Sequence, residues 1–174
     1  MELNQTRVLP VSQAQAWQAL NDVELLRSSI SGCESLTAIG EHRYRAMMVV
    51  SVGPVKAAFS GMLHLHDLNP PHSYSLVFEG QGGAAGHAKG HARIRLEADG
   101  IHQTLLHYSA HASVGGRIAQ IGSRLVDMAA QRTANEFFEN FTKRLEERHG
   151  LTAAAPAKPR LLARIIACLR RLAN

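Results

Sequence analysis

The sequence predicts an α+β fold: a curved antiparallel sheet wrapped around one long C-terminal helix, followed by an amphipathic tail. Three observations lead there. Between residues 36 and 114 apolar and polar side chains alternate over long runs, the signature of strands with one buried face. From Arg117 the apolar spacing changes to three and four and persists to Glu147. The breaks between the alternating runs are Gly and Pro words, so the strands return on one another as hairpins.

The elements follow in order. A short strand over 5–9 precedes Pro10, and Ser12 then supplies a helix N-cap. The helix over 13–20 sets Ala16, Trp17 and Leu20 on one stripe, and a second short helix covers 23–27 before Ser31-Gly32. Tyr44, Ala46, Met48, Val50 and Val52 share one strand face, with Arg43 and Arg45 opposite. After the Gly53-Pro54 turn, Val55, Ala57, Phe59, Gly61, Leu63 and Leu65 face inward while Lys56, Ser60, His64 and His66 face out. Asn69-Pro70-Pro71 ends that strand, and Tyr74, Leu76 and Phe78 continue the inner face. Gly86, Ala88, Gly90, Ala92, Ile94 and Leu96 alternate with His87, Lys89, His91, Arg93 and Arg95. Asp99-Gly100 marks a hairpin, from which Leu106, Tyr108, Ala110, Ala112 and Val114 return along the inner face. A helix over 117–147 closes the domain, its buried stripe running through Ile118, Ile121, Leu125, Met128 and Ala129 to Phe137, Phe138, Phe141 and Leu145.

Charge divides the chain. The formal total is +5, yet from Gly150 onward Lys158, Arg160, Arg164, Arg170 and Arg171 meet no acid, leaving the preceding body formally neutral. Residues 150–159 read as a linker, poor in anything to bury. In 160–174, Leu161, Leu162, Ile165, Ile166, Leu169 and Leu172 recur at helical spacing against Arg160, Arg164, Arg170 and Arg171. Such a helix is about 21 Å long, too short to cross a hydrocarbon core of about 30 Å, but suited to lying in an anionic interface. Its aliphatic face offers a gross gain of about 9 kcal/mol if well buried, part of which is lost to ordering, so a reversible anchor is expected. Docking of the same helix on a partner protein or on the body is the alternative. A nucleic-acid partner is not expected, because phosphate binding does not call for six aliphatics on one face.

The body has the size of one domain, with no apolar run long enough to span a bilayer and no signal-peptide pattern. Cys33, placed in a loop, and Cys168, in the tail, have no metal-ligand spacing and no evident reason to pair, which fits a reducing cytoplasm; with the tail, the expected location is cytoplasmic and peripherally attached to the inner membrane.

This element order resembles the helix-grip fold of the START-like SRPBCC superfamily. Within it the sequence is similar to the CoxG family of carbon monoxide dehydrogenase accessory proteins. The resemblance is carried by Ser31-Gly32-Cys33, by Gly53-Pro54-Val55-Lys56 leading to Phe59-Ser60-Gly61, and by the Gly115-Gly116-Arg117-Ile118-Ala119-Gln120-Ile121-Gly122 stretch. Asn135-Glu136-Phe137-Phe138 also matches. The resemblance implies a deep apolar cavity between sheet and helix and an accessory role beside a molybdenum hydroxylase of the carbon monoxide dehydrogenase type. The family's suggested work is recruiting that enzyme to the cytoplasmic membrane and handling a lipophilic ligand such as a respiratory quinone, with no covalent cofactor.

The inner faces supply matching walls. Trp17, Tyr44, Met48, Phe59, Leu63, Tyr74, Leu76, Phe78, Ala88, Ala92, Tyr108, Ala110, Ile121, Leu125 and Met128 are the expected cavity lining. Gly86, Ala88, Gly90, Ala110 and Ala112 are small for core positions, which leaves room for a guest unless the long helix packs down on them. Almost no ionisable group falls on these faces, so no catalytic set is expected; a cyclase- or hydrolase-type enzyme and a ligand-free assembly factor are the rival readings. The histidines face outward. A hairpin at Asp99-Gly100 would set His91 diagonal to His107 and His111, but without a carboxylate or thiolate, and with Lys89 and Arg93 beside them, no metal is expected. That outer sheet surface is either simply solvated or a docking face for a partner enzyme.

Overall fold

The computed structural model describes residues 1–151. Apart from Gly150 and Leu151, the expected linker over 150–159 and anchor helix over 160–174 lie outside the described residues.

Seven strands form one antiparallel sheet in the order β1-β7-β6-β5-β4-β3-β2. They are β1 (Glu2–Leu9), β2 (Cys33–Gly40), β3 (Arg43–Val52), β4 (Val55–Asn69), β5 (Ser73–Gln81), β6 (His87–Ala98) and β7 (Thr104–Gly115). Helices α1 (Gln13–Leu20) and α2 (Val23–Ser29) follow β1, and α3 (Arg117–Gln120) and α4 (Ser123–Arg148) follow β7. The expected order of one strand, two helices, six strands and a C-terminal helix is therefore present. β1 begins earlier than expected because Glu2, Leu3 and Asn4 pair with His111, Ala110 and Ser109 along the sheet edge. Cys33 is the first residue of β2, not part of a loop.

Alternation holds where it was expected. Along β6, Ala88, Gly90, Ala92, Ile94 and Leu96 are buried or half-buried while His87, Lys89, His91, Arg93 and Arg95 are exposed. Ser12 caps α1 through a capping box: its hydroxyl accepts the Gln15 N–H, and the Gln15 side chain accepts the Ser12 N–H at 3.0 Å. α2 is fastened to α4 at both ends. Asp22 caps its N-terminus and meets Arg148 at 2.7 Å, while Asn140 and Arg144 donate to the Ser29 and Ser28 carbonyls at its C-terminus.

The long helix departs from expectation. Residues 117–147 are not one helix, because Gly122 sits at φ +104 and separates α3 from α4. Only a residue without a Cβ takes that conformation cheaply, and it resets the helical phase. The inward stripe of α4 then runs through Val126, Phe138, Phe141 and Leu145. Leu125 and Met128, expected in that stripe, are 44% and 60% exposed.

Two apolar clusters fill opposite ends of the fold. The larger gathers Leu9, Val11, Leu20, Leu65, Leu96, Leu106, Phe141 and Leu145 beneath α1 and the C-terminal half of α4. The smaller joins Val52, Phe59, Ala85, Ile118 and Val126 beside the Gly53 turn and α3.

Candidate functional site

The concave face of the sheet between these clusters is the candidate site. Register brings its residues into rows across the strands. One row is Ala46, Gly61, Gly80, Ala88 and Val114; the next is Tyr44, Leu63, Phe78, Gly90 and Ala112. The first is almost free of side-chain bulk across four strands. Some of that room is already taken. A Cβ on Gly90 would lie 2.7 Å from the Phe78 ring, and one on Gly82 would lie 2.6 Å from the Phe59 ring, so two aromatic rings occupy the space these glycines leave. The rest stays partly open, since Leu63, Leu76, Phe78, Ala88, Ala92 and Ala110 are only half-buried although they point under the helix.

The expected lining residues separate by place. Tyr74 is buried in the larger cluster, where Trp17 meets it edge-on at 5.7 Å, and Tyr44, Leu76, Ala92 and Tyr108 pack against the same cluster. Phe59 belongs to the smaller cluster, with Met48 and Ile121 against it. Leu63, Phe78, Ala88 and Ala110 lie between, and Leu125 and Met128 sit on the outward side of α4. A cavity of about 340 Å³ opens at the α3 end, bounded by Met1, Ala112, Val114, Ala119 and Val126 together with the polar side chains of His111, Ser113, Ser123 and Asp127.

Burial pushes the Tyr74 phenol far above its ordinary value, with the nearby Tyr44 adding to the shift, so it is a neutral wall residue. Tyr108 differs. Its hydroxyl donates to Gln5 Oε1 at 3.0 Å, and that oxygen also accepts from Arg7 Nη2 at 2.6 Å. Arg7 further donates to Asn135 Oδ1 and stands over the Phe138 ring at 5.5 Å. No carboxylate lies within ion-pairing distance of Arg7 among the described residues, and its Nε is buried without a hydrogen-bond partner. The concave face therefore carries one cation, Arg7, which the expected lining did not include. The signal was present in the sequence: counting back by twos from Leu9 puts Arg7, Gln5 and Leu3 on the same face.

The outer face also differs from the diagonal arrangement expected. His91 stands directly opposite His111, with the two rings stacked at 5.7 Å, while His107 is opposite Arg95 and bonds to Thr6 at 2.9 Å. No group of three metal-ligating side chains occurs among the described residues. No helix among them is long and apolar enough to cross a membrane.

A curved antiparallel sheet gripping a long C-terminal helix over an apolar concave face defines a START-like helix-grip protein, and solved structures with this fold agree. A START superfamily protein from Mycobacterium smegmatis superposes with TM-score 0.66 at 12% identity, covering 84% of this chain and 97% of that chain. An aromatase/cyclase from Streptomyces sp. R1128 superposes with TM-score 0.62 at 13% identity, covering 90% and 98%. A conserved protein from Geobacillus kaustophilus is more similar, with TM-score 0.80, 30% identity and coverage of 84% and 96%. Residues 7–146 match the carbon monoxide dehydrogenase CoxG family, and the chain belongs to that family. No curated protein sequence matches it.

Proposed function

We propose that this protein is a non-enzymatic accessory component of a carbon-monoxide-dehydrogenase-type molybdenum hydroxylase. It holds a lipophilic ligand, of which a respiratory quinone is the leading case, against the concave face of its sheet. The basic amphipathic segment 160–174 ties it, and with it the enzyme, to the cytoplasmic face of the inner membrane. The observation that carries the ligand reading is the half-open apolar face in a chain of this family. An apolar wall with few polar groups suits a hydrophobic guest. The match to a carbon monoxide dehydrogenase subunit family supports the accessory reading over the enzymatic alternative.

Two experiments test it. Protein taken from native membranes, extracted with organic solvent and analysed by mass spectrometry, is expected to yield a stoichiometric quinone or lipid. An empty protein would instead favour an assembly factor. The full chain is expected to co-sediment with anionic liposomes, and a version ending at Pro156 to stay in the supernatant; equal sedimentation of the two would remove the anchor from the proposal.

A further inference from the structure

We propose that the convex face of the sheet is a docking site for an acidic protein segment that carries an apolar side chain. This site is on the opposite side of the sheet from the concave face and does not depend on what that face holds. A groove of about 550 Å³ crosses β4 to β6 here. Its apolar part is Met62 and Val77, which are diagonal neighbours on adjacent strands and 43% and 41% exposed. The groove reaches the strand backbone, since it is bounded in part by Leu63, Phe78 and Gly90, whose side chains belong to the other face. A side chain entering it would meet apolar atoms beneath a polar rim.

That rim carries Arg43, Lys89 and three imidazoles against one carboxylate. In the register row across the groove, Arg43, His64, Val77, His91 and His111 stand side by side, with Glu2 of β1 beyond His111; in the next row Lys89 stands opposite Glu79, the only carboxylate of the lining. The surrounding surface continues the pattern. Over β3 to β7 the convex face carries Arg43, Arg45, Lys56, Lys89, Arg93 and Arg95 against Glu79 and Glu97, with Asp67 at its margin beside His66. Glu97 is already paired with Arg95 at 3.1 Å. No carboxylate lies within 4.0 Å of a charged nitrogen of Arg43, Arg45, Lys89 or Arg93 among the described residues. A body that is formally neutral as a whole thus concentrates unpaired cations on one face.

The charge selects the occupant. A second copy of this chain would present cations to cations, which costs affinity. A flat anionic bilayer would meet the cationic rim and leave Met62 and Val77 unfilled in the groove. A protruding acidic segment with one aliphatic or aromatic residue satisfies both parts, an apolar anchor in a pocket and charges around it.

The test uses the full nitrogen-labelled chain and a synthetic peptide in which one Leu is flanked on both sides by Asp and Glu. Saturable binding is expected, with amide shifts centred on Met62, Val77, Lys89 and His91 and weakening as salt rises. Replacing the peptide's Leu by Ser, or combining Arg43→Glu with Lys89→Glu, should each raise Kd about 10-fold or more. Met62→Ser keeps the test informative if the charge reversals unfold the domain, because it removes only the anchor contact. The proposal is overturned by no binding at millimolar peptide, by shifts confined to the concave face, or by equal affinity for the Leu and Ser peptides. It is equally overturned if phosphatidylglycerol vesicles perturb these amides and the peptide does not.

Discussion

Arg7 shows how one side chain changes the chemistry of an otherwise apolar face. Its guanidinium is held by the neutral oxygens of Gln5 and Asn135 and by the Phe138 ring, without a counter-charge among the described residues. Burial raises the pKa of the Tyr108 phenol, and the Arg7 charge and hydrogen bonding pull it partly back. Stability tied to that neutral phenol is complete below the ordinary tyrosine pKa and is lost as pH rises through the elevated folded value. Arg7→Leu should therefore move the Tyr108 titration further upward, while Arg7→Lys should keep most of the wild-type position. Phenolate absorbance during a pH titration reads both, and an unmoved or lowered Tyr108 pKa in the Leu variant would contradict the account. Gly86 is a second decisive residue. It sits at φ +115 with its Cα against Gly116, and a Cβ there would overlap the Gly115 carbonyl oxygen. Both strain and a backbone clash oppose Gly86→Ala, so a loss of about 2 kcal/mol or more in urea unfolding is expected. Gly83→Ala is the control: its φ is also positive, but open space surrounds it, and it should cost less.

At the scale of elements, α2 depends on α4 for both of its ends. Asp22 accepts the Leu25 and Glu24 backbone N–H groups, and Arg148 meets its other oxygen. The Leu25 hydrogen bond first, and then Arg148, hold the Asp22 carboxyl below the usual carboxylate range. A depressed folded pKa contributes stability above the unfolded value and loses it as pH falls through the folded one. Asp22→Ala should cost about 1 kcal/mol at neutral pH, the ordinary worth of an N-cap. The gap between variant and wild type should close in acid, below the carboxylate range. Thermal melts across that range check it, and a pH-independent gap would assign the effect to something other than the charge. The elements also show what the sequence made legible. Period-two alternation is kept along β6 and most of β4, where one face is wet and the other covered, whereas Met47 to Val50 of β3 are all half-buried and a register shift after His66 breaks the pattern in β4. The break at Gly122 was not legible, because a lone glycine in a helical pattern is usually tolerated, and the positive φ that stops the helix comes from the corner it turns. With the phase reset there, Val126 faces inward and Leu125 and Met128 do not.

The whole molecule is built from unequal ends. The end with α1, α2 and the last turns of α4 owns the larger cluster, including Phe141 and Leu145 at 0% exposure. The end with the Gly53 turn, residues 82–86 and α3 has a smaller cluster whose buried members are all 5% to 8% exposed, and the cavity beside Val114 and Val126 opens there. The sheet topology could be reasoned from strand order and hairpin signals, but this inequality could not, since it depends on where Phe59 places its ring over Gly82, just past β5, and Phe78 over Gly90 of β6. Local stability follows packing, so the two ends should open at different free energies. Native-state hydrogen exchange is expected to show amides of β6 and β7 near Ile94 and Leu106 exchanging only by global unfolding. Amides near Ala85, Ile118 and Val126 should exchange through cheaper local opening. Leu145→Ala should then cost about 2–5 kcal/mol and speed exchange everywhere. Ile118→Ala should cost less and speed exchange mainly at its own end. Uniform protection across both ends would mean that the clusters form one cooperative core, with the α3 end no weaker than the other.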